Sequence, residues 1–176
     1  MANLNSPLQQ INRWDVELCV FCNRQSRFLS VRSVFRLASR LGDGVFWYTL
    51  MVALLLSYQM VAVPAVVHML AVGLLSTVIY KLIKGKTLRP RPYNVYPAIV
   101  CMGKALDQFS FPSGHTMHAV SFSIVALAYF PALFWLVVPF ATLVAISRPI
   151  LGLHYPSDVI AGAALGAALA FGSLAL

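Results

Sequence analysis

Charge is scarce in this chain. Charged residues make up 10% of its 176 positions while hydrophobic ones make up 60%, a balance that excludes an ordinary soluble domain. Histidines aside, no charge at all falls in 44–80, 108–147 or 159–176. Each tract is long enough to cross a hydrocarbon core of roughly 30 Å, and the first two each hold a pair of crossings. Acidic residues number five: Asp15, Glu17, Asp43, Asp107 and Asp158. They are scattered and only Asp158 falls in a motif, so no metal site is expected and no cofactor is implied. The three cysteines are too few for a disulfide framework, and Cys19 and Cys22 lack the second ligand pair of a zinc or redox motif. They read as an ordinary apolar-face pair. The 13 lysines and arginines flank apolar runs instead of forming a soluble basic face, which argues against nucleic acid and for anionic lipid headgroups. The N-terminus is polar and its short apolar patch, 16–22, is interrupted by Glu17. No cleaved signal is expected there, so the first span would itself direct insertion.

The pattern predicts an all-α polytopic bundle of about five transmembrane spans. Residues 1–43 are expected to be an amphipathic interfacial segment, with a transmembrane catalytic domain over 44–176. Within 14–41, Val16, Leu18, Phe21, Phe28, Leu29 and Leu37 alternate with Arg24, Arg27, Arg32, Arg36 and Arg40. Such a segment lies on a membrane with its arginines snorkelling to headgroups, or else caps the membrane domain. Gly42 and Gly44 then break the helix. Spans follow from about 45 to 57, from Pro64 to about 83, from 113 to 130, from 133 to 147, and from Pro156 onward, with Pro64 and Pro156 suited to first turns. Gly162 and Gly166 have the spacing of close helix contacts, whether internal packing or dimerisation.

Three polar stretches interrupt the apolar runs. The first, 84–92, holds Lys84, Lys86, Arg89 and Arg91, and its two X-Pro steps force extended backbone, so a loop is expected. Alone it also fits a basic stop-transfer flank. The second, 111–115, puts Ser113 and Gly114 at the start of a helix, where a hydroxyl, free backbone N–H groups and the helix dipole receive anions. Alone, Ser113 also fits a plain N-cap and His115 an interfacial histidine. His118, one turn later, reads as structural. The third, 147–158, joins Arg148, His154 and Asp158; an imidazole four residues before a carboxylate suits a ring held by that carboxylate, and a guanidinium grips tetrahedral oxyanions. A polar loop capping two membrane helices is the plainer reading. The segment 93–111, carrying Lys104 and Asp107, is the natural mouth or lid.

With five spans, all three stretches fall on one side of the membrane, while the opposite connections carry no charge. Cations, imidazoles, a Ser–Gly helix start and a carboxylate converging at a membrane edge fit phosphoryl transfer. These residues also resemble the type 2 phosphatidic acid phosphatase superfamily, whose signature K-x6-R-P, P-S-G-H and S-R-x5-H-x3-D is matched at 84–92, 112–115 and 147–158. Many members have six spans; five are expected here, preceded by the amphipathic segment. The resemblance implies a metal-independent lipid phosphatase acting on a phosphomonoester or diphosphate of a membrane lipid. It implies that His154 attacks phosphorus, Asp158 orients it, and His115 protonates the leaving oxygen and then activates water. Lys84, Arg91, Arg148, Ser113 and Gly114 would cradle the phosphate. A lipid-to-lipid phosphotransferase would share every one of these residues, and a non-enzymatic membrane protein is the remaining alternative. Cations gathered on the site's side point to the cytoplasmic face of a bacterial inner membrane, whereas the resemblance implies the periplasmic one. Oligomeric state stays open.

Overall fold

The computed structural model describes residues 7–176, so the first six residues of the expected 1–43 segment lie outside the described residues. Among those described, the regular structure is helical: α1 (Pro7–Arg24), α2 (Leu29–Arg40), α3 (Phe46–Tyr58), α4 (Val63–Thr87), α5 (Gly114–Tyr129), α6 (Phe134–Ile150) and α7 (Pro156–Leu174). Three stretches are long and apolar enough to cross a membrane, Leu29–Thr87, Pro131–Ile150 and Pro156–Leu174. The first is not one rod. Gly44, at φ 135°, kinks it between α2 and α3, and Gln59, at φ 47°, breaks it again before α4.

The helix starts foreseen near Val45, Pro64 and Pro156 fall at Phe46, Val63 and Pro156. One boundary differs. The expected loop at 84–92 begins late, because α4 continues through Thr87 and is closed by Leu88 in the left-handed conformation, whose N–H donates to the Lys84 carbonyl. The X-Pro steps act only from 89 onward, so nothing local ends the helix at Lys84. Lys84 and Lys86 thus sit in the last turn, where the helix dipole favours cations.

Helix α5 lies at the centre, packed against α4, α6 and α7. Its contacts are made by small residues and short hydroxyls: Thr116, Ala119, Ser121, Ser123 and Ala126 are all buried, and Ser123 returns its hydroxyl to the Ala119 carbonyl at 2.7 Å. At Gly162 and Gly166 of α7 an added Cβ would come within 3.0 Å of the carbonyl oxygens of Ser113 and Met117. The glycines therefore serve contact within the chain, since only a residue without a side chain lets the two backbones approach so closely. Trp47, Leu50, Leu54, Met69, Val72, Phe122, Val125, Val137 and Val144 fill the space between α3, α4, α5 and α6. Outside, Leu56, Leu74, Leu82, Trp135, Ile160 and Phe171 are exposed, as expected of a surface solvated by lipid tails.

Helices α1 and α2 do more than edge the bundle. Buried Asn23 donates to the carbonyls of Val100 and Ile150, each at 2.9 Å, and accepts from the Val100 N–H at 2.8 Å. Arg36 donates to the Met102 carbonyl at 3.1 Å. The N-terminal helices are thereby stitched to the 93–111 loop and to the end of α6.

Candidate active site

The three polar stretches meet where α4 and α6 end and α5 and α7 begin. Lys84 extends from the last turn of α4, and Arg91 follows after the extended step at Arg89–Pro90. Arg148 lies in the last turn of α6. Gly152, at φ 74°, lets the chain reverse immediately afterwards, and an added Cβ there would meet the Val100 carbonyl at 2.7 Å. The reversal delivers His154 two residues before α7, whose start is fixed by Tyr155 as N-cap and Asp158 closing a capping box. Ser113 caps α5, and its backbone N–H donates to the Asp158 carbonyl at 3.0 Å.

His154 is 1% exposed. Arg91 Nη1 donates to its Nε2 at 3.2 Å and to the Leu153 carbonyl at 2.8 Å. A guanidinium accepts nothing, so Nε2 holds a lone pair and the proton is on Nδ1. Nδ1 faces Asp158 Oδ2 at 3.6 Å, an approach longer than a hydrogen bond. Burial first, then the charges of Arg148, Arg91 and Lys84, hold the imidazole well below its ordinary pKa. The ring is therefore neutral, the state a nucleophile requires.

His115 Nε2 is paired with the Asp43 carboxylate, which projects from the kink between α2 and α3. Arg148 is fully enclosed, donates from Nη1 to Ser39 Oγ at 2.6 Å, and among the described residues its Nε has no partner. Lys84 Nζ meets both Asp107 oxygens, at 2.9 and 2.7 Å, and Arg91 Nη2 meets Oδ1 at 2.9 Å. Burial pushes the Asp107 carboxyl up, but these two cations outweigh it and leave the group below its usual range. The Asp107 carboxylate thus engages donors that would also suit a phosphate.

A cavity of about 440 Å³ joins these groups, within the usual range of ligand sites. Lys84, Arg91, Arg148, His115, His154 and Gly114 all line it, as do Asp43 and Asp107. Leu70, Gly73, Leu74, Thr77 and Tyr80 continue the wall down one face of α4 from Lys84, a run of roughly 21 Å at helical rise. The site is a charged mouth above an apolar cleft. Ser113 stands apart: its hydroxyl is fully buried, lies 3.0 Å from Thr116 Oγ1 and makes no cap bond. His118 sits between the Gly114 and Gly73 carbonyls, at 2.9 and 3.1 Å, tying α5 to α4.

Acids that lie scattered along the sequence nonetheless find basic partners near the site. Asp43 and Asp107 reach the cavity, and Asp15 pairs with Arg89 at 2.6 Å; together with Asp158 they make four acids around one site. No spacing rule could find them, because each arrives from a different element. The one available signal was scarcity, since an isolated acid beside a membrane tends to have a cationic partner. Burial first, then the neighbouring Cys22 and Asp15, pushes the Cys19 thiol up to about 12.

Residues 61–176 match the family model described as the PAP2 superfamily. An undecaprenyl-diphosphatase of Sulfolobus acidocaldarius is 37% identical over 83 residues, covering 46% of this chain and 40% of the relative. A decaprenylphosphoryl-5-phosphoribose phosphatase of Mycobacterium tuberculosis is 40% identical over 88 residues, covering 49% and 46%. The matches thus span less than half the length of these curated relatives. Among solved structures, a transmembrane PAP2 type phosphatidylglycerolphosphate phosphatase from Bacillus subtilis superposes with a TM-score of 0.75 at 25% identity, over 98% of this chain and 87% of that one.

Proposed function

The chain belongs to the PAP2 superfamily, and from that premise we propose that it is an integral-membrane lipid phosphatase that cleaves a phosphomonoester or diphosphate through a phosphohistidine. The observation that carries the reading is the buried His154, whose Nε2 accepts from Arg91 and which lines one cavity with Lys84, Arg91 and Arg148. A phosphate entering there takes the donors of Lys84 and Arg91 from Asp107, and Arg91 turns from Nε2 to a phosphate oxygen. The freed Nε2 attacks phosphorus while Asp158 faces the proton on Nδ1 and stabilises the charge that develops on the ring. His115 gives a proton to the leaving oxygen, then takes one from the water that displaces His154. Asp43, paired with His115 Nε2, orients that ring in the cavity wall. Gly114 supplies a backbone donor at the helix start. Ser113 acts by shaping that turn, given where its hydroxyl points.

The apolar cleft below the cations supports a lipid substrate: a headgroup at the mouth, acyl or polyprenyl chains along α4. Undecaprenyl diphosphate, a polyprenyl phosphoribose phosphate and phosphatidylglycerophosphate are members of that class named for the relatives above. We read five crossings, α3 to α7, with residues 1–43 as an interfacial segment on the site's side and 44–176 as the catalytic domain. A substrate panel of these lipids with the purified protein in detergent tests the reading, with His154→Ala as control. Phosphate release should fall by several orders of magnitude in that variant, and protein-bound, acid-labile phosphate seen after rapid quench should vanish. Persistence of the labelled phosphate would move the nucleophile elsewhere; transfer to a second lipid without free phosphate would make the protein a phosphotransferase.

A further inference from the structure

Asp158 is completely buried, yet its carboxylate is shared. Oδ2 accepts the Tyr155 N–H at 2.9 Å, and Oδ1 accepts Arg89 Nη1 at 2.7 Å. Arg89 lies inside the x6 stretch between Lys84 and Arg91. Its side chain stacks on the Tyr155 ring, 4.0 Å from guanidinium carbon to centroid, and Nη1 also reaches Ser157 Oγ at 2.8 Å. The other arm, Nη2, donates to Asp15 Oδ2 at 2.6 Å. Asp15 belongs to α1. It is 5% exposed, accepts the Ser157 backbone N–H at 2.9 Å, and takes the Ser157 hydroxyl at 2.5 Å. It therefore caps the first turn of α7 while it holds Arg89. A single fork-shaped cation thus joins two buried carboxylates, one of which faces the nucleophile's protonated ring nitrogen.

We propose that Arg89 and Asp15 are positioning residues for the nucleophile, and that the seating of α1 on the site therefore governs the attack step. This rests on His154 being the nucleophile. Without Arg89, Asp158 loses the partner that fixes its Oδ1, and the Tyr155 N–H on Oδ2 is left as the contact that orients the carboxylate toward Nδ1. Without Asp15, Arg89 loses one arm of its fork and the first turn of α7 loses its outside cap. Lysine does not replace Arg89, because a single ammonium on a flexible stem cannot span both carboxylates in fixed geometry. Asp15 lies outside the stretch matched by the family model, residues 61–176. The N-terminal helix is, on this inference, part of the catalytic apparatus.

The test uses the full chain in detergent with dioctanoyl phosphatidic acid and undecaprenyl diphosphate as probes, taking whichever is hydrolysed. Asp15→Asn, Arg89→Gln and Arg89→Lys should each lower kcat tenfold or more, with KM within about twofold of the parent. The burst of protein-bound phosphate should slow by the same factor, and the double variant Asp15→Asn/Arg89→Gln should lose no more than the worse single one. Asp15→Glu, which keeps the charge, should recover part of the loss; it also stands in if Asp15→Asn fails to fold, when its kcat should still lie below the parent's at equal KM. Variants with the parent's kcat and burst rate, or with a loss confined to KM, or with additive losses, overturn the inference. A parent whose turnover survives His154→Ala overturns instead the reading on which it rests.

Discussion

At the scale of single residues the proposed chemistry depends on a histidine kept neutral by its surroundings. His154 is enclosed, with Arg91, Arg148, Lys84 and His115 on one side and Asp158 on the other. Burial and the cations win over one carboxylate at 3.6 Å, and the folded pKa lies well below 6.5. The unfolded chain then takes up that proton first, so protonation favours unfolding. The contribution of His154 to stability is complete above pH 6.5, declines as pH falls below it, and levels off below the folded pKa. In ¹⁵N-histidine spectra of the empty protein in detergent, the His154 signal should stay in the Nδ1-protonated neutral form through pH 6.5. A titration centred there would mean that water or an anion reaches the ring. Asp43 and Asp107 belong to the same scale. Each is a lone acid in an apolar or basic context, which marks it as costly and so as partnered, but the partner is named by neither spacing nor periodicity.

Among the elements, α5 and α7 carry the tightest demand. Their crossing sets the Ser113 turn against Gly162, and that turn also receives the Asp158 carbonyl. Backbone separation at this crossing therefore fixes how His115 and His154 face one another across the cavity. Gly166→Leu should separate the helices, costing about 1–3 kcal/mol as overpacking does. Detergent melting curves should show a lower Tm together with lost turnover. Gly172→Leu on the same helix, where an added Cβ meets nothing within 4 Å, should leave Tm unchanged. Equal melting of the two variants would mean that the crossing tolerates a side chain. The GxxxG spacing was legible in the sequence, while its use inside the chain was not, because the same small-residue face serves a second copy equally well. Similarly, arginines among apolar residues at 14–41 announced amphipathic helices. That Asn23 and Asp15 fasten them to the site had no local signal.

For the whole molecule, the arrangement of charge bears on orientation. The N-terminal arginines share a side with the site, as the Arg36 contact to Met102 indicates, and the turns at 59–62 and 130–133 contain no charged residue. In the proposed function the cations of the site serve phosphate, whereas Arg24, Arg27, Arg32, Arg36 and Arg40 lie outside the three motifs and, by the positive-inside rule, weigh toward the cytoplasm. In a Cys-free background, single cysteines at Asn5 and at Lys104 should both resist an impermeant maleimide on intact spheroplasts and react after lysis. Ready labelling of both without lysis would put the site outside, as the family resemblance implies, and opposite behaviour of the two would break the five-crossing reading.

Composition and order along the chain determined the class of this protein. Apolar tracts must be buried in lipid or protein whatever the fold, and three motifs at helix ends mark the PAP2 superfamily because the residue types and spacings are local properties. Tertiary structure alone decided which carboxylate answers which cation. Asp15 with Arg89, Asp43 with His115 and Asp107 with Lys84 are 74, 72 and 23 residues apart, and in a chain with so few acids no repeat or period connects them. Their pairing follows from the close approach of α7 to α5 and from the docking of α1 and α2 on the loops. Those are packing outcomes summed over many weak contacts, and no stretch of sequence contains them.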